Sequence, residues 1–209
     1  MLNVKDFKMF EIIAMLTMFI DHLGAAYFPD QIWFRIIGRV AMPLYTYGIV
    51  QGYKYTHSFK KYLIRLLLIA FISQLFYMPL FHTNGLNMVF TLLVCLVLLK
   101  YYDQTKSRIK YLIIPLAAVI LEAVDFDYGF YAFLLTLIFY LGKDVLWRHN
   151  LLNIAYIFIN HWGIQLFSFL PSILITKYPN LPLKGKVRNF YRIFYPLHLA
   201  FLLLLKGIM

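Results

Sequence analysis

Apolar stretches follow one another from residue 9 to residue 208, cut by short polar breaks. A bilayer core of about 30 Å takes about 20 helical residues. Apolar length and breaks together predict nine spans. They cover residues 9–28, 32–53, 61–81, 86–101, 111–124, 128–141, 146–160, 162–176 and 189–205. Pro29-Asp30 stops the first, and the turn at residues 82–85 separates the third from the fourth. Spans seven and eight are short, and one re-entrant unit around His161-Trp162-Gly163 is the alternative. Pro43 and Pro115 predict kinks in spans two and five.

Composition agrees with the pattern. Apolar residues make up 62 % of the chain and charged residues 14 %. Ordinary soluble domains have about 45–50 % and about 25 %. A soluble fold of 209 residues has too little interior for so much apolar surface. The reading is all-α: one polytopic transmembrane bundle over residues 1–209.

The net charge of +11 is a topology signal rather than a sign of nucleic-acid binding. Fifteen of the 20 basic residues fall at one end of the bundle, in the N-terminal segment and alternate loops. The opposite connections hold Asp30, Glu122, Asp125 and Asp127. The positive-inside rule places the basic side, and the N-terminus, in the cytoplasm. Asp21-His22 before Gly24 argues against signal-peptide cleavage, so the first span is read as uncleaved. Cys95 lies in an apolar run and packs. No metal site is expected.

Ionisable residues inside spans carry the information, since each costs about 2.5–3.5 kcal/mol at mid-bilayer unless paired or wet. Span one holds Glu11, Asp21 and His22, span two Arg35 and Arg39, span nine Arg192 and His198. At about 1.5 Å of rise per residue, His22 and Arg39 both lie roughly 10 Å below the outer edge. His198 lies near the midplane. Asp21 and His22 point about 100° apart, so they make different contacts. The expected arrangement pairs Asp21 with Arg39, or alternatively Arg35, and leaves His22 facing a cavity. An architectural ion pair is the simpler reading of the same charges. His57, His82 and His149 read as solvated loop residues. Gly48 and Gly52 form a small-xxx-small match on span two. Neither a nucleotide-binding nor a zinc-protease fingerprint occurs.

The order of motifs then becomes informative. Phe19-Ile20-Asp21-His22-Leu23-Gly24 closes span one, and Ile37-Gly38-Arg39-Val40-Ala41-Met42-Pro43 lies in span two. Lys61-Tyr62-Leu63-Ile64-Arg65, Ile72-Ser73-Gln74, Asn87-Met88-Val89-Phe90-Thr91, Asp127-Tyr128-Gly129 and Phe194-Tyr195-Pro196-Leu197-His198 follow. This set resembles the TraX family of bacterial membrane proteins over nearly the whole chain. The resemblance implies kinship with polytopic membrane acyltransferases; the family's type member is linked to N-terminal acetylation of conjugative pilin. Larger relatives use a histidine near the end of the first span, which His22 matches. The acyltransferase-3 branch has a basic residue eleven positions earlier, where this chain has Glu11.

With that resemblance, the expectation is a bacterial plasma-membrane acetyltransferase. Acetyl-CoA would reach it from the cytoplasm, held by Arg35, Lys61, Arg65 and Arg192. His22 would be general base or transient acyl carrier, with Asp21, Arg39 and His198 completing the catalytic group. Asn87 and Asp127 would line an outer mouth for an acceptor amine or hydroxyl on a protein or glycan. A transporter using the buried charges as a relay and a non-enzymatic pilus assembly factor are the rival classes.

Overall fold

In the computed structural model, residues 4–177 and 187–208 are described, with side chains for residues 10–177 and 191–208. The basic segment of residues 178–186, with Lys184 and Lys186, lies outside the described residues. The helices are α1 (Val4–Tyr27), α2 (Ile32–Gly38), α3 (Ala41–Tyr55), α4 (Phe59–Phe81) and α5 (Met88–Gln104). A 3-10 turn, Arg108–Leu112, leads into α6 (Ile113–Ala123). Then come α7 (Gly129–Leu141), α8 (Val145–Asn160), a second 3-10 segment (Gly163–Phe169), α9 (Leu170–Lys177) and α10 (Val187–Ile208). Among the described residues there is no strand beyond one parallel bridge between Leu86 and Phe126.

Local chemistry sets the ends. Pro29 follows α1 and biases Phe28 away from helical backbone. Ser58 caps α4 by accepting from the Lys61 N–H, and Asn87 caps α5 by accepting from the Val89 N–H. Gly142 closes α7 at φ +65°, its N–H reaching the Ile138 carbonyl.

Among the described residues, three segments are long and apolar enough to cross a membrane: Phe10–Tyr27, Phe59–Phe81 and Tyr191–Ile208. The chain is a membrane protein. Its outer surface agrees: Leu75 on α4 is 71 % exposed, Val119 on α6 67 % and Phe158 on α8 77 %. In water each such side chain forgoes about 1.5–3 kcal/mol of burial, whereas against lipid tails it does not. Methionines, leucines and aromatics fill the interior, among them Met42, Val50, Leu96, Phe133 and Leu199.

Two expectations change here. Span two is not one helix, because it breaks at Arg39–Val40 between α2 and α3. Pro43 and Pro115 therefore sit in the first turns of α3 and α6, where no N–H partner is lost and no kink is needed. The prolines inside helices are Pro79 in α4 and Pro196 in α10. Spans seven and eight form a helical hairpin whose return begins as 3-10 turns.

The α1–α2 approach depends on bare backbone. A Cβ on Gly24 would lie 2.1 Å from Phe34 Cβ. Gly24→Ala should therefore push α2 off α1 and cost about 1–3 kcal/mol of overpacking. A lower Tm in detergent than wild type is expected, with Gly207→Ala as a control because nothing lies within 4 Å of that position. Equal melting of the two variants would contradict this packing.

Candidate active site

The polar centre starts at Asp21 on α1. Its Oδ2 accepts from Arg35 at 2.8 Å, and its Oδ1 lies 3.7 Å from the Arg39 guanidinium. Arg35 is therefore the closer partner and Arg39 the second, the reverse of the order expected. The break between α2 and α3 lets both arginines converge. Gly38 makes room, since a Cβ there would fall 1.8 Å from Asp21 Oδ1. Trp162 covers both arginines, its ring 5.9 Å from the Arg35 guanidinium carbon and 5.2 Å from that of Arg39. Tyr128 stacks on Arg39 from another side at 5.2 Å, and Gln165 accepts from Arg39 at 3.4 Å.

His22 lines neither cavity at the basic end of the bundle. It is buried, with Phe81 and Tyr195 edge-on to its ring. Its Nδ1 lies 2.7 Å from Nε2 of His198 on α10. The tautomers follow from the third partner. His198 Nδ1 is 2.9 Å from the Phe194 carbonyl oxygen, which only accepts, so that nitrogen carries a proton. In neutral His198, Nε2 is then the bare acceptor, and His22 Nδ1 donates to it. The unprotonated nitrogen of neutral His22 is Nε2. The sequence singled out both histidines, but their pairing is a tertiary fact.

At the basic end, α1, α3, α4 and α10 enclose a cavity of about 680 Å³. Lys61, Arg65 and Arg192 line it together, as does Glu11. Arg35, expected with them, is instead held by Asp21. Tyr195 forms part of the wall, and its ring lies 5.9 Å from His22 and 5.3 Å from His198. One aromatic ring thus separates the basic cavity from the histidine pair.

The opposite end is built differently from expectation. Asn87 is buried and occupied: its amide donates to the Ala70 carbonyl at 2.9 Å and to Gln74 Oε1 at 2.7 Å. It holds a turn rather than lining a mouth. Glu122 accepts from the Phe130 N–H and steadies the start of α7. Asp127 sits in the loop before α7, near the arginines. Desolvation pushes its carboxyl up to about 6, against the pull of Arg39.

Sequence reading missed a second polar cluster. His149 is not a solvated loop residue; it is fully buried on α8. Its Nδ1 is 2.6 Å from Ser172 Oγ and its Nε2 is 2.9 Å from Tyr131 Oη. Asn153 and Ser168 complete the group. Ser168 shares its 3-10 segment with Gln165, so the cluster anchors the strap that carries Gln165 to Arg39. The available signal was the polar spacing of His149 with Asn153, four apart on one face of α8, and of Ser168 with Ser172 in the apolar return segment.

Asp21→Asn should leave two guanidinium groups without the carboxylate that contacts them both. Losing one partner of a buried pair costs about 3–5 kcal/mol, less here because Arg35 is a quarter exposed. Thermal stability in detergent should fall for Asp21→Asn and for Arg35→Gln and recover in part in the double variant. Strictly additive losses would show that the two side chains do not interact.

Comparison with known proteins gives the chain's family. The model of the family described as "TraX protein" matches residues 7–206. A relative described as a probable fimbrial assembly protein FimC, serogroup H1, from Dichelobacter nodosus is 26 % identical over 242 aligned positions, covering 94 % of this chain and 95 % of the relative. No solved structure matches the chain. A match spanning nearly every described helix, with Asp21, His22, Arg39 and His198 all inside it, identifies the chain as a member of the TraX family.

Proposed function

We propose that this protein is a bacterial plasma-membrane acetyltransferase that modifies a pilus subunit or another cell-surface acceptor. The observation that carries the reading is the buried histidine pair, in which the Phe194 carbonyl and His198 leave Nε2 of His22 unprotonated. That is the tautomer a general base needs. His198 is then a positioning residue: it accepts the Nδ1 proton and stabilises the imidazolium that forms, as the orienting group of a catalytic triad does.

Acetyl-CoA is the proposed donor, entering from the basic end. Lys61, Arg65 and Arg192 supply the positive field that draws it into the cavity, and the Tyr45 hydroxyl is a buried group without a hydrogen-bond partner in the same cavity. The donor contributes an acyl thioester. As the acceptor nitrogen or oxygen bonds to the acyl carbon, His22 Nε2 takes its proton and then passes it to the departing thiolate. Arg39 and Arg35, close enough to act electrostatically on His22, favour negative charge developing on the acyl oxygen. Asp127 and the acidic loop around it attract an amine-bearing acceptor from outside. Nine crossings with a cytoplasmic N-terminus and an outer C-terminus bring the two substrates from opposite faces.

A second reading, a non-enzymatic pilus assembly factor, draws on the relative described as a fimbrial assembly protein. The two readings part at His22. In the enzyme, His22→Gln keeps a polar side chain but removes the nitrogen that can accept a proton near neutral pH. General base assistance is worth about 10²–10⁴ in rate, so labelled acetyl transfer by the purified variant should fall at least about a hundredfold with the fold retained. His198→Gln should lower kcat without changing donor affinity. An assembly factor would keep pilus formation intact in cells carrying His22→Gln, and that result would displace the acetyltransferase reading.

A further inference from the structure

The small-xxx-small pair on α3 does not serve helix association. Gly48 and Gly52 both line the basic-end cavity. A Cβ on Gly48 would meet only the Tyr191 hydroxyl, at 3.5 Å, while one on Gly52 would run into the Tyr62 ring at 2.4 Å. The missing side chain at Gly48 therefore opens a slot along α3, and Gly52 lets Tyr62 close its opposite wall. Tyr45 on α3 and Thr56, the extended residue that follows α3, lie eleven positions apart and line its two ends. At about 1.5 Å per residue the slot is roughly 16 Å long. It holds a chain as long as about five extended peptide residues.

The slot does not stop at Thr56. Thr56 and His57 also line a second, open basin of about 760 Å³. That basin carries Lys54 and Lys100. Their ammonium groups lie over aromatic rings, Lys54 over Tyr140 at 5.5 Å and Lys100 over Phe59 at 4.2 Å. Among the described residues neither has a carboxylate within ion-pair distance. The basin's own acid, Asp103, accepts instead from the hydroxyls of Tyr53 and Tyr140. Two cations backed by rings and a satisfied carboxylate leave the basin suited to an anion with several charges.

We propose that the slot and the basin form one bipartite site for a phosphorylated nucleotide bearing a long neutral arm. The phosphates and nucleotide occupy the basin between Lys54 and Lys100. The arm crosses the Thr56–His57 sill and lies along Gly48, past Lys61 and Arg65, to end at Tyr195. This inference rests on the acetyltransferase reading for the identity of the ligand, coenzyme A, and adds where each of its halves sits. The extended pantetheine arm matches the slot in length, and its amides suit the buried Tyr45 hydroxyl. An anionic phospholipid shares the chemistry of a phosphate head on a long chain, so the test must separate the two.

The experiment is ligand-dependent thermal stability of the full chain in nanodiscs of neutral lipid, read by the shift in Tm with ligand concentration. Coenzyme A should stabilise at lower concentration than ADP, because ADP fills the basin alone. Gly48→Phe fills the slot and should weaken coenzyme A by about tenfold or more, the scale of discrimination in an apolar pocket, while leaving the ADP response within about twofold. Replacing Lys54 and Lys100 together by Gln should weaken both nucleotides and leave the pantetheine response unchanged. If Gly48→Phe does not fold, Gly48→Leu poses the same question. Coenzyme A acting no better than ADP, or unaffected by both slot variants, would overturn the proposal. So would stabilisation by an anionic phospholipid that coenzyme A cannot displace. Coenzyme A binding in this pattern without acetyl transfer would leave the bipartite site standing and remove the proposed reaction. Transfer without the pattern would do the opposite.

Discussion

A carboxylate inside an apolar bundle has no water to share its charge with, so Asp21 must be met by protein. The meeting needs four things at once: a helix end that brings Arg35 near, a break that turns Arg39 back, a glycine at position 38, and a cover over both arginines. The first three come from α2 and the break that follows it, and the fourth from the distant Trp162 segment. Once α1, α2 and the Trp162 segment are fixed around this point, the rotation of α1 is fixed as well. His22, one residue on, is then directed away from the arginines toward α10, where His198 meets it.

Two buried systems therefore sit side by side and differ in kind. The arginine clamp sets one carboxylate against two guanidinium groups and depends on burial for its strength. The histidine pair, in its neutral form, holds no net charge, and its hydrogen bonds run in one direction, from His22 to His198 to the Phe194 carbonyl. Such a chain specifies which nitrogen is free without the cost of another buried ion. Behind the clamp, the His149 cluster ties down the strap that carries Gln165. Between the histidines and the basic-end cavity stands Tyr195, which touches both.

Much of this was legible in the sequence, for stated reasons. Lipid excludes charge, so Asp21, His22, Arg35, Arg39 and His198 stood out against leucine and phenylalanine. Rise per residue placed Asp21 and Arg39 at one depth. What depth cannot give is rotation, and rotation decided that Arg35 lies closer to Asp21. The break at Arg39–Val40 was hidden because Val40, Ala41 and Met42 continue the apolar run without a gap. Asn87, expected at an outer mouth, instead caps a helix inward, and His149, read as a solvated loop residue, faces a buried serine; in both cases the sequence shows a polar residue near a turn and not which way it points. Lys61, Arg65 and Arg192 came together as expected because positive-inside placement already put them at one end. The role of Gly48 was not legible, since a bare helix face serves a neighbouring helix or a ligand equally well until the neighbours are known.

The central claim is that this architecture moves an acetyl group outward onto a surface acceptor. Intact-mass comparison of pilus and other cell-surface components tests it most directly, using cells that carry the protein, cells that lack it, and cells that carry His22→Gln. The account predicts one acceptor that gains a single acetyl group only when the protein with His22 is present. An unchanged acetylation pattern across the three, with the protein expressed and folded in the membrane, would contradict it.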